Sequence, residues 1–243
     1  MSTNSKLLDL TGRVAVVIGA TSGLGKTLAE GLAAHGATVA PTGRRAEELA
    51  CDVGSRDSVD AFRDAVLAKH GRVDVLVNAA GQTFKSPTVS MAETDWARIL
   101  DVTLTGTLRA CQSFYAPLKE SGRGRVINIA SLGSYLAFHQ VAAYCAAKTG
   151  VLSLTRSLAC EWAKDGICVN AIAPGIFPTD LNRKLIDGTP RGMELLMRTP
   201  MGRFGNAEEL VGLAVLLASD GASYLTGQCI GVDGGYLASG VNS

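Results

Sequence analysis

Ile18-Gly19-Ala20-Thr21-Ser22-Gly23-Leu24-Gly25-Lys26-Thr27 is the stretch of sequence that decides the fold of this chain. It follows a short β-branched run, 14–18, and opens an apolar-periodic segment that continues to His35. Glycines let the backbone turn sharply and approach a ligand, and a helix N-terminus offers free N–H groups and partial positive charge to a phosphate. The stretch therefore predicts a strand, a phosphate-binding turn and a helix.

The same stretch also supports a different class of protein. Ala20-x4-Gly25-Lys26-Thr27 nearly matches the P-loop of nucleotide triphosphatases, with alanine where the first glycine belongs. Lys26 would then hold phosphates and Thr27 a magnesium ion, and an apolar strand should end in an aspartate. The next candidate strand, 73–77, is instead followed by Asn78-Ala79-Ala80-Gly81, which disfavours this alternative. A nucleotide-binding scaffold without chemistry is a third possibility.

Short β-branched runs alternate with helical stretches along the rest of the chain. Such alternation, with strands that are apolar throughout, predicts a parallel sheet covered on both faces. We expect a doubly wound, Rossmann-type α/β fold with three α/β/α layers and a single domain over residues 1–243. The predicted strands are 14–18, 38–42, 73–77, 126–129, 168–173 and 229–232, and the later helices are 58–70, 96–116, 141–162, 180–198 and 206–219.

One connection is too short for this plan. Only Gly43–Cys51 separates the second strand from Asp52, whereas a parallel crossover needs about a dozen residues or more. Either a helix–strand unit is deleted after Ala50 or the sequence omits residues there, and we favour omission. Pro41, within the second strand, also needs a position where the ladder requires no N–H donor.

The composition of the 243-residue chain excludes several classes of protein. Hydrophobic residues make up 47% and charged residues 19%, which suits a packed core and argues against disorder. A formal charge of +1 without a block of like charges disfavours nucleic acid and anionic membranes as partners. No apolar run approaches the roughly 20 residues that span a bilayer, and the start, MSTNSK, is unlike a secretory signal.

The cysteines and histidines predict no metal site. The six cysteines include no C-x-x-C pair, and the three histidines do not cluster. This usage fits neither a disulfide framework nor a zinc site, and it suits a reducing compartment. We therefore expect a cytoplasmic protein without a metal.

Tyr144, Lys148 and Ser131 form the candidate catalytic group. Tyr144 and Lys148 lie four residues apart in a predicted helix and so share a face, and Ser131 follows a strand at the end where open α/β sheets bind ligands. An ordinary phenol titrates near 10, and a neighbouring Lys⁺ or an oxidised nicotinamide would lower that pKa. The Ser131 hydroxyl would hold the substrate oxygen. Taken singly, the three residues also suit core packing, a solvated face and a helix cap.

With these residues in place, the chain resembles the short-chain dehydrogenase/reductase family over nearly its whole length. The resemblance implies that Tyr144 is the acid/base, that Ser131 donates to the substrate oxygen, and that Lys148 tunes Tyr144 and binds the nicotinamide ribose. The motifs that carry it are Gly19-x3-Gly23-x-Gly25, Asp52-Val53, Asn78-Ala79-Ala80-Gly81, Ser131, Tyr144-x3-Lys148, Asn170 with Pro174-Gly175, and Val232-Asp233-Gly234-Gly235.

The resemblance also implies a dinucleotide site. The Gly-rich turn would bind its phosphates, Asp52 its adenine, and the loop after the fifth strand its nicotinamide amide. The missing unit would be the family's third helix and strand at the sheet edge. The implied cofactor residues are Gly19, Thr21, Ser22, Gly23, Leu24, Gly25, Arg44, Arg45, Asp52, Val53, Asn78, Ala79, Ala80, Gly81, Tyr144, Lys148, Pro174, Gly175, Ile176 and Thr179.

The end of the second strand indicates which dinucleotide is preferred. Binders of NAD usually carry an acidic residue there for the ribose diol, whereas binders of NADP carry a cation for the 2′-phosphate. Here the strand is followed by Gly43-Arg44-Arg45, with no carboxylate and two guanidiniums that suit bidentate phosphate binding. We expect NADP(H) to be preferred and NAD(H) to be possible.

The sequence differs from the family pattern at Thr103. Many members have an asparagine there, in the helix before the Ser131 strand, which props a water in the proton relay. A threonine hydroxyl could still hold a water, and we expect activity to survive.

The substrate and the assembly are expectations from the resemblance. Thr103 and the run through Glu208-Glu209-Leu210 resemble gluconate 5-dehydrogenases and related sugar-acid or polyol dehydrogenases, with 3-oxoacyl-carrier-protein reductases as the alternative. The pocket should be formed by the loop after Ser131 and by segments 82–87 and 176–200, the last rich in cations. The substrate would be a small alcohol or ketone, and the protein a homotetramer whose helices 96–116 and 141–162 pair across one interface.

Overall fold

A computed structural model describes residues 7–47, 49–179 and 182–242, apart from the side chain of Leu185. The described residues form one six-stranded parallel sheet in the order β2-β1-β3-β4-β5-β6. The predicted doubly wound α/β fold is confirmed. The strands are β1 (Val14–Ile18), β2 (Thr38–Thr42), β3 (Val75–Asn78), β4 (Arg125–Ile129), β5 (Cys168–Pro174) and β6 (Cys229–Val232).

Helices cover both faces of the sheet because successive strand residues point to opposite sides. In β1, Ala15 and Val17 pack with helices α1 and α8, while Val14, Val16 and Ile18 pack with α2, α4 and α5. The helices are α1 (Gly23–Ala34), α2 (Arg56–His70), α3 (Glu93–Leu100), α4 (Gly106–Glu120), α5 (Ala142–Trp162), α6 (Arg183–Ile186), α7 (Pro190–Met197) and α8 (Val211–Ala218).

Two predicted helices are built differently from the sequence expectation. Segment 96–116 is part of a longer continuous helical segment, in which a π-helical turn, Asp101–Thr105, joins α3 to α4. Segment 180–198 is divided, within its described residues, into the short helices α6 and α7. Gly188, with a φ of +66°, lies between them and prevents one continuous helix.

The strand order reverses between β1 and β3, and this places the ligand crevice. β1 leads to the outer strand β2, whereas β3 leads to β4 on the other side. In open α/β sheets, ligands bind at the carboxyl ends of the strands at such a switch point. Gly19 follows β1 and Asn78 ends β3, so both lie at this position.

Within the described residues, no further strand or helix lies between β2 and α2, and β2 is the edge of the described sheet. The short connection is tied to the end of β2, because Thr42 Oγ1 donates to Leu49 O at 2.6 Å and Cys51 N donates to Gly43 O at 3.3 Å. The preference for omitted residues after Ala50 stays a prediction. A groove of about 430 Å³, whose lining includes Val39, Phe62 and Val66, remains beside β2.

Pro41 lies where the sequence required it. Thr38 N donates to Arg13 O, and Thr42 O accepts from Gly19 N and Ala20 N, so alternate residues of β2 bond to β1. Pro41 belongs to the other set and is exposed on the outer edge of β2. Its missing N–H therefore removes no ladder bond, and it also blunts the edge against pairing with other chains.

Among the described residues, no helix is long and apolar enough to cross a membrane.

Two helical glycines offer a matched test of how the Gly-rich turn is packed. A Cβ on Gly25 would lie 2.2 Å from Gly19 O, whereas a Cβ on Gly212 in α8 would meet nothing within 4 Å. We expect Gly25→Ala to lower the free energy of unfolding by about 3 kcal/mol or more, and Gly212→Ala to raise it by roughly 0.5–1 kcal/mol. Urea unfolding measures both, and equal effects would contradict the packing.

Candidate active site

Ser131 is fixed just beyond the end of β4. Ala130 N donates to Ile172 O at 2.7 Å, which continues the sheet for one residue. The Ser131 hydroxyl then accepts from Gly133 N at 3.0 Å and caps the 3₁₀ turn Leu132–Ser134. The helix-cap explanation for Ser131 therefore holds, and it leaves the O–H free to donate, because capping uses the oxygen only as an acceptor.

Tyr144 lies beside Ser131, and Lys148 lies one helical turn further along α5. A Cβ on Gly133 would lie 3.5 Å from Ser131 Oγ and 3.6 Å from Tyr144 Cε1, so both side chains converge on this glycine. Lys148 Nζ is 5.9 Å from the centre of the Tyr144 ring. The structure thus brings the three predicted residues to one place at the carboxyl end of the sheet.

Lys148 is a buried ammonium with spare donors. The residue is 5% exposed, and its Nζ donates to Ile129 O at 2.5 Å. Burial lowers the pKa of Lys148 from 10.5 to about 8. An ammonium carries three N–H donors, so two remain to be directed into the crevice. A Cβ on Gly81 would lie 3.5 Å from Nζ, which places the loop after β3 directly over the ammonium.

The pKa of Tyr144 differs from the sequence expectation. Burial, the largest effect, raises this pKa, while the hydrogen bond with Ser131 lowers it. Lys148, whose Nζ lies 5.9 Å from the centre of the ring, is not among the groups that shift this pKa. Tyr144 is therefore held as a protonated phenol, which is the form that gives a proton to a carbonyl oxygen.

Thr103 lies in the π-helical turn, and π turns are often found at functional sites. Its side chain is buried, Oγ1 accepts from Gln82 N at 3.3 Å, and its carbonyl accepts from Thr107 Oγ1 at 2.9 Å. A Cβ on Gly81 would lie 3.8 Å from Thr103 Oγ1, so Thr103 and Lys148 face the same glycine. The position at which the sequence departs from the family pattern is thus adjacent to the candidate site.

The Gly-rich turn is shaped for an anion. The N-cap residue of α1, Ser22, makes no side-chain cap bond, and the first turn of the helix holds no acidic residue. The first N–H groups of α1 therefore remain available to a phosphate, as the helix dipole favours. A Cβ on Gly19 would lie 2.5 Å from Ala80 N, so only glycine allows the turn to pass the end of β3.

Two further cofactor candidates, Arg45 and Thr179, lie beside this turn. Arg45 Nη2 donates to Ser22 Oγ at 2.9 Å, which holds one guanidinium against the turn. Thr179 Cγ2 would lie 3.7 Å from a Cβ on Gly23, so the loop after β5 reaches over the other side. The chemistry of these groups fits a dinucleotide phosphate, whereas Lys26 is exposed and lies 3.8 Å from Glu30, which disfavours the P-loop alternative.

Asn78 and Asp52 use their side chains within the fold. Asn78 is 5% exposed, and its Nδ2 donates to Asn128 Oδ1 at 2.9 Å, whose own Nδ2 donates to Thr155. The backbone of Asn78, rather than its amide, is what this position offers a ligand. The Asp52 carboxylate accepts from Gly54 N at 2.9 Å. No sequence pattern indicates the polar chain through Asn128, because a single asparagine in an apolar strand has no distinctive spacing.

The remaining predicted residues form the frame of the crevice. Gly175 N donates to Val232 O at 2.9 Å, Ile176 O accepts from Gly205 N at 2.9 Å, and Val53 packs against Gly106. Loops 82–87 and 135–141 are joined because Ser86 N donates to Gln140 O at 2.8 Å. The other predicted cofactor residues form no side-chain hydrogen bond with a described residue. They lie in the Gly-rich turn or after the ends of β2, β3 and β5, and they are Gly19, Thr21, Gly23, Leu24, Gly25, Arg44, Ala79, Ala80, Gly81, Pro174, Gly175 and Ile176.

Comparisons with known proteins find relatives over nearly the whole chain. Residues 19–237 match a family model described as enoyl-(acyl carrier protein) reductase. The chain is 39% identical to the D-threitol dehydrogenase of Mycolicibacterium smegmatis, over 93% of this chain and 94% of that protein. It is 34% identical to the 3-oxoacyl-[acyl-carrier-protein] reductase of Escherichia coli, over 94% and 98%.

A solved structure is similar over almost the whole chain. The gluconate 5-dehydrogenase of Burkholderia cenocepacia, in complex with NADP and tartrate, superposes with a TM-score of 0.93 at 35% identity, covering 97% of this chain and 99% of that one. The fold and the site define an oxidoreductase of alcohol and keto groups. The chain belongs to the short-chain dehydrogenase/reductase family, whose members use NAD(P).

The buried Lys148 predicts a pH-dependent stability. Between pH 8 and 10.5 the unfolded chain retains a proton on this lysine that the folded chain has lost, so the stability of the wild type rises with pH. Relative to Lys148→Met, the wild type should gain up to about 3 kcal/mol across that range. Urea unfolding at stepped pH measures the difference.

The matched control for this experiment is Lys164, which is exposed, so that Lys164→Met removes no buried charge. If the difference in the free energy of unfolding between the wild type and Lys148→Met is constant from pH 8 to 10.5, this result would contradict the burial of the ammonium.

Proposed function

We propose that this protein is an NADP(H)-dependent oxidoreductase that interconverts a secondary alcohol and a ketone on a sugar acid or a polyol. The observation that carries the proposal is the convergence of Ser131, Tyr144 and Lys148 at the carboxyl end of the sheet. A nucleotide-binding scaffold without chemistry would have no reason to bury a lysine beside a phenol, because burial of an ammonium is costly.

The chain's own residues account for the proton transfer. The Ser131 and Tyr144 hydroxyls would both donate to the carbonyl oxygen, and Tyr144 gives its proton to that oxygen during reduction. In the reverse direction the phenolate accepts the proton of the alcohol. The nicotinamide, when bound, supplies or accepts the hydride. The two spare N–H groups of Lys148 suit the ribose hydroxyls of the dinucleotide.

The preference for NADP(H) is supported by charge at the end of β2. Residues 43–45, directly after Thr42, include no carboxylate, and the Arg45 guanidinium is held against Ser22, on the side of the Gly-rich turn where β2 ends. A 2′-phosphate there would gain charge-assisted hydrogen bonds. The B. cenocepacia gluconate 5-dehydrogenase was solved with NADP.

Sugar acids and polyols are supported by the named relatives, which include a D-threitol dehydrogenase and a gluconate 5-dehydrogenase. We also propose a homotetramer in which α3–α4 and α5 pair across an interface, and a cytoplasmic location suited to six free cysteines. The tetramer rests on the family resemblance.

Replacing the phenol tests the mechanism. Tyr144→Phe keeps the ring and removes the only proton donor proposed for the substrate, so we expect kcat to fall by about 100-fold or more. NADPH absorbance measures turnover on keto-gluconates, polyol ketones and acetoacetyl thioesters. NADPH binding by the same variant, followed by calorimetry, separates lost chemistry from lost binding.

The panel has clear contrary outcomes. Unchanged turnover by Tyr144→Phe would refute the mechanism. Turnover of acetoacetyl thioesters alone would favour the 3-oxoacyl-carrier-protein reductase alternative, and NADPH binding without turnover of any compound would favour the scaffold.

Replacing Arg45 tests the choice of dinucleotide. We expect Arg45→Gln to raise the KM for NADPH by about 10-fold or more, since a hydrogen bond to a charged group is lost, and to leave the KM for NADH unchanged. Lys26→Gln is the matched control, because Lys26 is an exposed cation in the same turn. A clear preference of the wild type for NADH would refute the assignment.

A further inference from the structure

The segment between β5 and α8 contributes to a small apolar cluster. Ile186 and Leu195 of the lid (α6, α7 and the turn between them) pack with Leu132 and Tyr236. Leu132 follows Ser131 directly, and the ring centres of Phe138 and Tyr236 are 6.3 Å apart. Tyr236 therefore packs beside the residue that follows Ser131 and against the loop 135–141 that leads to Tyr144.

The Tyr236 hydroxyl is buried with its polar atom unused. The residue is 4% exposed, and its hydroxyl forms no hydrogen bond with any described residue. The oxygen is nevertheless not sealed in, because no fully enclosed side-chain oxygen or nitrogen in the described chain lacks a partner. A buried phenol normally satisfies its O–H. This hydroxyl must therefore open towards a space that a polar ligand group can enter.

Two cations accompany this hydroxyl. The Arg198 guanidinium lies over the Tyr236 ring, 5.1 Å from its centre, and forms no ion pair with a described residue. Arg191, half-buried in the first turn of α7, also lacks such a pair. A cation there opposes the helix dipole. Two unpaired guanidiniums beside an unbonded phenol make a site of net positive potential, with Glu194 as the acidic neighbour on the same helix.

We propose that the Tyr236 hydroxyl and the Arg198 guanidinium, assisted by Arg191, bind the carboxylate of the substrate at the end of the chain away from the reacting carbon. A carboxylate accepts from both an O–H and a guanidinium. The subsite rests on the proposed function, and it selects sugar acids over polyols of the same length.

Burial supports this assignment by holding the hydroxyl in its donor form. Burial is the largest effect on Tyr236 and raises its pKa, as the Glu194 carboxylate also does, although Arg198 and Arg191 lower it. The phenol therefore remains protonated at neutral pH and presents an O–H rather than a competing anion.

D-Gluconate and D-glucitol test the subsite, since they differ only in a carboxylate or a hydroxymethyl at one end. With NADP⁺, we expect Arg198→Gln and Tyr236→Phe each to raise the KM for gluconate by about 10-fold or more, with kcat and the glucitol constants little changed. Arg198→Lys should recover part of the loss because it keeps the charge. Arg183→Gln is the control on the lid, since Arg183 lies 3.7 Å from Asp187 and is exposed, and it should leave the ratio of the two substrates unchanged.

A binding measurement separates this proposal from the proposed function. Calorimetry can measure the binding of gluconate to Tyr144→Phe in the presence of NADP⁺, because this measurement needs no turnover. Introducing Arg198→Gln into the same variant should weaken gluconate binding by a factor similar to the rise in KM. Equal losses for gluconate and glucitol, or no gluconate binding to Tyr144→Phe, would overturn the subsite. Turnover that survives Tyr144→Phe would overturn the mechanism and leave the calorimetric result to decide the subsite.

Discussion

The close approach of the Gly-rich turn to the end of β3 is the constraint on which the rest of the structure depends. A Cβ on Gly19 would enter the backbone of Ala80, and one on Gly25 would enter the carbonyl of Gly19. Because these side chains are absent, α1 begins immediately above the switch point between β1 and β3. The N–H groups of α1, the loop over Lys148 and the carboxyl end of β4 then face one crevice, which is why a phosphate site and a proton-transfer site lie side by side.

The candidate active site keeps groups in states that are unfavourable for the fold. Lys148 is an ammonium with one recorded acceptor, Tyr144 is a phenol whose pKa is raised by burial, and Tyr236 has an unbonded hydroxyl. Each would be stabilised by a hydrogen-bond partner that a ligand brings into the crevice. Such groups persist where ligand binding completes their interactions, and their clustering within one crevice is the physical signature of a functional site.

Much of this arrangement could be predicted from the sequence, because it depends on local patterns. β1, β2 and β6 have their predicted bounds, and the spacing of Tyr144 and Lys148 fixes their common face. The raised pKa of Tyr144 could not be predicted, since it depends on burial by segments distant in sequence. The same holds for Asn78, whose amide is used by Asn128 on a neighbouring strand, and for Tyr236, whose environment is supplied by the lid.

The short connection after β2 shows which part of the fold the site needs. The crevice is built from β1, β3, β4 and β5, and β2 contributes only its end, where Gly43 and Arg45 meet the Gly-rich turn. Cys51 N bonds to Gly43 O, so Asp52 follows directly beside that end even without a strand outside β2. A crossover unit at this edge would cover Val39 and Phe62, which line the groove beside β2. Ser131, Tyr144 and Lys148 lie on β4 and α5 or directly after them, so the length of this edge does not decide where these three residues meet.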